Sequence, residues 1–212
     1  MNYLYFIRHA ESEANKKRIL ASWLPFPLTD EGREDARRIA AELKETVPIN
    51  RIISSPLLRA MQTAEAFSTV YGQTVQTDER LSEQNQGRYS GMSYDVVKLE
   101  AEYEADPLQR WDWVPRGNGE SYEMVAERVD SFLNSMEIET DEKENSDRHT
   151  LIVTHAVVFR LLRAVLENTL PYYPKDFPNN GEIWKVEFHK VGFQHRIESI
   201  LLGNSRQFIH NP

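Results

Sequence analysis

The chain has 212 residues, 40% of them hydrophobic and 27% charged, which fits a single folded domain and excludes a disordered or fibrous chain. It holds no cysteine, so a disulfide scaffold, a thiolate zinc site, an iron–sulfur cluster and a cysteine nucleophile are all excluded. A net charge of −8 turns the whole-protein field against nucleic acid and anionic membranes as partners.

In chain order, residues 3–7 are aromatic and aliphatic throughout, the pattern of a strand buried on both faces. Arg8 and His9 follow at once, too early for an export signal. Thr29 reads as an N-cap, with Ala36, Ile39, Ala40 and Leu43 behind it at helical spacing. Residues 51–54 form a short strand. Ser55-Pro56 then supplies a cap and a first-turn proline for a helix running through Arg59, Thr63, Ala66 and Phe67. Residues 74–77 are another short strand, 150–154 a buried one, and 157–166 the helix that leaves it. The apolar run 151–166 is interrupted by His155, Arg160 and Arg163, which a lipid-facing helix would not carry. Residues 183–189 and 195–202 flank Val191-Gly192 as a terminal antiparallel hairpin. Strands alternating with helices predict an α/β fold, and the absence of any span predicts a cytoplasmic protein.

Two stretches stand apart. Residues 137–149 carry six acidic side chains against Lys143 and Arg148, a net of −4, and read as a solvated linker. Residues 88–119 are rich in aromatics, with Tyr89, Tyr94, Tyr103, Trp111 and Trp113, and read as a small packed insertion that also serves as a lid together with 170–181.

Three predicted strands end in residues suited to an anion. The first runs into Arg8-His9, the second into Ser55 and the helix turn bearing Arg59, and the late one into His155. In open α/β sheets, ligands bind beyond the carboxyl ends of parallel strands, and a helix N-terminus there adds free N–H groups and partial positive charge. Two arginines and two histidines gathered at one edge are costly to bury without a counter-ion. A phosphate dianion supplies it, so the constellation reads as a phosphate pocket.

The motifs in this frame are ordered and specific. Arg8-His9-Ala10-Glu11-Ser12-Glu13-Ala14-Asn15, Pro27-Leu28-Thr29-Asp30-Glu31-Gly32 and Ser54-Ser55-Pro56-Leu57-Leu58-Arg59-Ala60 are followed by Leu81-Ser82-Glu83, Gly119-Glu120-Ser121 and Val153-Thr154-His155. Along essentially its whole length the sequence resembles the histidine phosphatase superfamily, which includes the cofactor-dependent phosphoglycerate mutases. The resemblance implies a three-layer α/β/α fold with a mostly parallel sheet and a helical lid insertion at 88–119 within one domain spanning 1–212. It implies His9 as the nucleophile that becomes phosphohistidine, and Arg8, Arg59 and His155 as ligands of the phosphate oxygens. Asn15 adds a neutral donor, and Glu83 is the proton donor to the leaving oxygen.

Residue chemistry agrees. A nucleophilic His9 must be neutral with one ring nitrogen free, and two nearby guanidiniums disfavour its imidazolium form. The same arginines stabilise phosphoryl charge, so neither a metal nor another cofactor is called for. Ser12 is a further substrate contact or else a turn cap, and Ala156 offers a backbone N–H where the family usually has glycine beside the histidine. Glu79 rivals Glu83 only by position, and Arg18 is as easily a solvated cation as a pocket residue. His149, His189, His195 and His210 match no motif and are read as non-catalytic.

The family's mutases carry a basic motif after the glutamate, whereas Gln84-Asn85-Gln86-Gly87-Arg88-Tyr89 follows here. The favoured expectation is therefore a metal-independent phosphomonoesterase acting on a phosphorylated small molecule. A phosphoglycerate mutase, or a phosphate- or phosphoprotein-binding member of the fold, stands as the alternative. Oligomeric state is not legible.

Overall fold

A computed structural model describes residues 1–138, 147–175, 177–193, 195–201 and 203. Most of the acidic stretch 137–149 and His210 lie outside the described residues. The first strand, β1 (Asn2–Arg8), is buried on both faces, as its unbroken apolar run requires. Leu4 and Phe6 enter one apolar cluster, while Tyr5 and Ile7 enter another. Alternation along the strand thus builds two cores, one on each side of the sheet.

The sheet adds β2 (Arg51–Ser54), β3 (Val75–Thr77), β4 (Arg148–Thr154), β5 (Ile183–Phe188) and β6 (Arg196–Leu201) in the order β3-β2-β4-β1-β5-β6. The first three neighbouring pairs in that order are parallel, and the β1–β5 and β5–β6 pairs are antiparallel. The terminal hairpin expected from Val191-Gly192 is present.

Among the described residues six α-helices complete the fold: α1 (Glu13–Lys16), α2 (Asp30–Lys44), α3 (Leu58–Tyr71), α4 (Tyr94–Val97), α5 (Tyr122–Ile138) and α6 (Ala156–Glu167). Helices α2 and α3 bury Ile39, Ala40, Leu43, Ala60, Ala64 and Phe67 on the Tyr5 side. Helices α5 and α6 bury Val125, Val129, Phe132, Phe159 and Leu162 on the Phe6 side. This is the expected three-layer α/β/α fold, each fully buried large apolar side chain contributing about 1.5–3 kcal/mol. Among the described residues no helix is long and apolar enough to cross a membrane.

Two local expectations need correction. Helix α3 does not start on Ser55-Pro56: Leu57 is its N-cap, without a side-chain bond, and the helix runs on to Tyr71, where Gly72 closes it at φ 67°. Ser55 Oγ accepts from the Leu57 N–H at 3.3 Å, one residue ahead of the helix, and also meets His155 Nε2 at 2.7 Å. Helix α5, to which the sequence reading assigned no element, carries Tyr122, Val125, Ala126, Val129, Phe132 and Leu133 at helical spacing, all buried. Thr29 caps α2 as expected, its Oγ1 accepting from the Gly32 N–H at 2.9 Å. Gly32 itself is required because an added Cβ would lie 2.1 Å from the Glu11 carbonyl oxygen. That contact presses the start of α2 onto the loop that follows His9.

Residues 88–119 have one short helix, α4, and 3₁₀ turns at Gly87–Tyr89 and Pro107–Gln109. Tyr89, Tyr94, Val97 and Tyr103 form a separate apolar cluster there, with Leu20, Met92 and Trp113 against it.

Candidate active site

Register brings the predicted residues together. Arg8 at the end of β1 lies opposite Thr154 of β4, and Ser54 of β2 lies opposite Val153. His9, Ser55 and His155 therefore leave three adjacent parallel strands side by side. A cavity of about 100 Å³ opens above them, and its lining includes Arg8, His9, Asn15, Arg59, Glu83 and Ala156.

His9 is 3% exposed and fixed from both sides. Its Nδ1 lies 2.7 Å from the Ala10 carbonyl oxygen, which makes Nδ1 the protonated nitrogen. Nε2 is then the lone-pair nitrogen, and the Arg59 Nε–H donates to it at 3.3 Å. Asn180 Nδ2 donates to the His9 carbonyl at 2.7 Å, and the Thr63 hydroxyl accepts from the Ala10 N–H at 3.1 Å. Burial, then Arg59, then Arg8 hold the imidazole well below its ordinary pKa, so it is neutral.

Both arginines are buried. Arg59 Nη2 donates to the Ser22 carbonyl at 2.9 Å, and Arg8 Nη1 to the Pro178 carbonyl at 2.7 Å. Burial pushes each guanidinium down to about 10, and the Glu83 carboxylate opposes that fall. Glu83 Oε1 accepts from the Gln84 N–H at 2.9 Å and from the Val157 N–H at 3.3 Å, at the start of α6. Its backbone is clamped as well: Trp23 Nε1 and Arg128 Nη2 donate to the Glu83 carbonyl, and Arg128 is paired with Glu120 at 3.0 Å.

His155 is wholly buried behind His9, with ring centres 5.1 Å apart, and does not line the cavity. Its Nε2 lies 2.7 Å from Ser55 Oγ, and its Nδ1 has no hydrogen-bond partner among the described residues. Burial, then Arg59 and His9, lower its pKa well below the ordinary value. Ser12 also stays out of the lining: it caps α1, its Oγ donating to Asn15 Oδ1 at 2.8 Å. That bond commits the Asn15 oxygen and leaves the amide N–H₂ as the donor end.

The rival residues are elsewhere. Glu79 is exposed on a 3₁₀ turn, and Arg18 makes a two-pronged bond to Asp95. His149 contacts Tyr5, while His195 stacks on Phe188 with His189 beside it. Sequence reasoning missed Ser22, Gln86, Arg110 and Phe177 of the lining, and Asn180 beneath it. Of these only Asn180 had a local signal, the turn dipeptide Asn180-Gly181 before β5.

The cavity thus gathers a neutral histidine whose Nε2 is met by Arg59, the buried guanidinium of Arg8 and the Glu83 carboxyl. The pattern of the histidine phosphatase superfamily, branch 1, matches residues 4–198, and the chain belongs to that family. It is 37% identical over 180 residues to a putative phosphoserine phosphatase 2 of Hydrogenobacter thermophilus, covering 79% of this chain and 82% of that one. It is 32% identical over 168 residues to a glucosyl-3-phosphoglycerate phosphatase of Mycolicibacterium vanbaalenii, covering 77% and 73%. A solved mycobacterial glucosyl-3-phosphoglycerate phosphatase in complex with VO3 superposes with a TM-score of 0.80 at 23% identity, covering 94% of this chain and 98% of that one, a likeness of fold. Phosphoglycerate mutases also stand among the relatives.

Proposed function

We propose that the protein is a metal-independent phosphatase of a phosphorylated small molecule, working through phosphohistidine at His9. The observation that carries this reading is the neutral His9 whose Nε2 is met by Arg59 inside the cavity that Arg8 and Glu83 also line. The Nε2 lone pair attacks phosphorus, and the ester P–O bond breaks. The leaving oxygen takes its proton from the Glu83 carboxyl, whose Oε1 accepts from two backbone N–H groups and whose Oε2 is left to meet the ester oxygen. Charge that builds on the imidazole is stabilised through the Nδ1–H bond to Ala10. Arg8, Arg59 and Asn15 hold the phosphoryl oxygens, while His155, off the cavity lining, backs the His9 ring. In the second half, the Glu83 carboxylate takes a proton from water, the hydroxide attacks phosphorus, and the P–N bond breaks to release phosphate and neutral His9.

Residues 1–212 act as one domain in this reading, with 88–119 as the insertion that covers the site. A cytoplasmic location and small-molecule partners, without nucleic acid or membrane, complete it. Rapid quench with labelled phosphomonoester, excess chelator present, tests the centre of the proposal. An acid-labile, base-stable phosphoprotein should form in the wild type. His9→Ala should lose it together with at least about 10⁴-fold of turnover while keeping its far-ultraviolet circular dichroism. Unchanged turnover in a folded His9→Ala protein would sink the reading. Conversion of 3-phosphoglycerate to 2-phosphoglycerate would move it to a mutase.

A further inference from the structure

A general acid has to meet the leaving oxygen at hydrogen-bond distance, and a free glutamate side chain, rich in rotamers, seldom points there. At Glu83 the aim comes from the peptide unit that joins it to Gln84. The N–H of that peptide donates to Glu83 Oε1 at 2.9 Å, with the Val157 N–H as a second donor at 3.3 Å, so the tilt of one peptide sets the carboxyl. The carbonyl of the same peptide accepts from two side chains, Trp23 Nε1 at 2.7 Å and Arg128 Nη2 at 3.2 Å. A cation on the carbonyl also polarises the peptide and strengthens its N–H as a donor.

Arg128 is itself aimed. It stands on α5, whose buried Val125 and Val129 fix that helix in the core. Its Nε and Nη2 grip the two Glu120 carboxylate oxygens at 3.0 and 3.1 Å, and its Nη1 donates to the Arg80 carbonyl at 2.7 Å. Glu120 in turn accepts the Asn85 N–H at 2.8 Å on its carboxylate and Gln84 Nε2 at 2.6 Å on its carbonyl. Apart from the pair itself, these contacts all fall on residues 80–85, the segment that presents Glu83. The paired side chains are 17% and 15% exposed. An ion pair so shielded is weak evidence for stability, because desolvation offsets the attraction, but a two-pronged guanidinium fixes an angle.

Trp23 works from the opposite wall. Its ring is 49% exposed, yet its loop is committed, for the Ser22 and Leu24 carbonyls accept from Arg59 Nη2 and Nη1 at 2.9 and 3.4 Å. One short loop therefore ties the guanidinium that meets His9 Nε2 to the backbone of Glu83.

We infer that Arg128, aimed by Glu120, and Trp23 are positioning residues that hold the Glu83 carboxyl at the ester oxygen, and that they govern proton transfer to the leaving group rather than phosphate binding. The inference rests on the phosphatase reading with Glu83 as the acid, and its test separates the two.

Turnover of an alkyl phosphate, whose leaving oxygen needs a proton, is compared with that of nitrophenyl phosphate, whose leaving oxygen does not. A misplacement of about 1 Å costs about 10²-fold, so Arg128→Met should lower kcat on the alkyl ester about 10- to 100-fold and Trp23→Phe about 3- to 10-fold. Arg128→Lys, which keeps the charge without the fork, should fall between Arg128→Met and the wild type. Nitrophenyl phosphate turnover and vanadate affinity should change by less than about threefold in each. In a Glu83→Gln background either substitution should cost less than about twofold more, since no proton is left to place. Arg128→Met strands the Glu120 carboxylate, so Arg128→Met/Glu120→Gln, which removes both charges, is read beside it, and Trp23→Phe alters only a half-exposed ring. Equal losses on the two esters, or losses that persist in the Glu83→Gln background, overturn the positioning role alone. No leaving-group dependence in Glu83→Gln itself, or no hydrolysis of either ester by the wild type, overturns the phosphatase reading instead.

Discussion

The two ends of the β1–β4 pair carry similar residues in opposite circumstances. At the amino end, His149 lies opposite Tyr3, stacks on its ring and bonds the Tyr5 hydroxyl at 3.0 Å, while the Met1 ammonium meets Asp147 at 2.6 Å in the open. At the carboxyl end, Arg8, His9 and His155 are buried, and the carboxylates of Glu83 and Glu182 act on Arg8. His149 is lowered mainly by burial, and Asp147 opposes that fall. His9 and His155 are lowered far more, because burial acts there together with arginines. The residue type is therefore uninformative by itself. What sets the carboxyl end apart is buried positive charge gathered beside a cavity.

Breaking that end has the larger expected consequences. Arg59→Ala removes one of the two guanidiniums beside Nε2, and vanadate affinity should fall by about 2–5 kcal/mol, roughly 30-fold to several thousand-fold, by calorimetry. A change below threefold would show that Arg59 does not hold the anion. Glu83→Gln should slow hydrolysis of alkyl phosphates about 10²- to 10⁴-fold and of nitrophenyl phosphate much less, since a good leaving group needs no proton. Equal losses on both would remove Glu83 from the acid role.

A smaller effect compares the ends directly. His9 and His155 stay neutral in the fold at pH values where an unfolded histidine, near 6.5, takes a proton. The unfolded chain binds more protons there, so stability is fully present above that value and lost as the pH falls below it. Each histidine contributes a slope of up to about 1.4 kcal/mol per pH unit. Urea denaturation between pH 7 and 5.5 in phosphate-free buffer reads this slope. His149→Gln should leave most of it in place, and a flat profile would mean that the two imidazoles are charged in the folded state.

The gathering of the candidate site was largely legible because its residues sit in short local motifs at strand ends, where the strand pattern and the residue chemistry coincide. Ser55 was misassigned for the opposite reason. Ser55-Pro56 is a strong local cap signal, and it lost to a bond with His155 a hundred residues away. Arg110 and Gln86 were illegible since they lie on irregular segments with no period, and only the folded path brings them to His9. Helix α5 was legible in principle, for Tyr122, Val125, Ala126, Val129, Phe132 and Leu133 recur at helical spacing.

The 88–119 segment leaves and rejoins the core at one point. The Arg88 N–H donates to the Arg116 carbonyl at 2.7 Å, and the Glu120 N–H to the Asn85 carbonyl at 2.9 Å. Gly87 and Gly119 let the strands of this neck touch, since a Cβ on either would lie within 2.5 Å of a carbonyl oxygen of Pro115 or Arg116. A segment closed in this way can change length or be exchanged at little entropic cost to the rest. Arg110 rides on it, and His9, Arg59 and Glu83 do not. Under the proposed function, the part of the cavity lining that this loop supplies can change without displacing His9, Arg59 or Glu83.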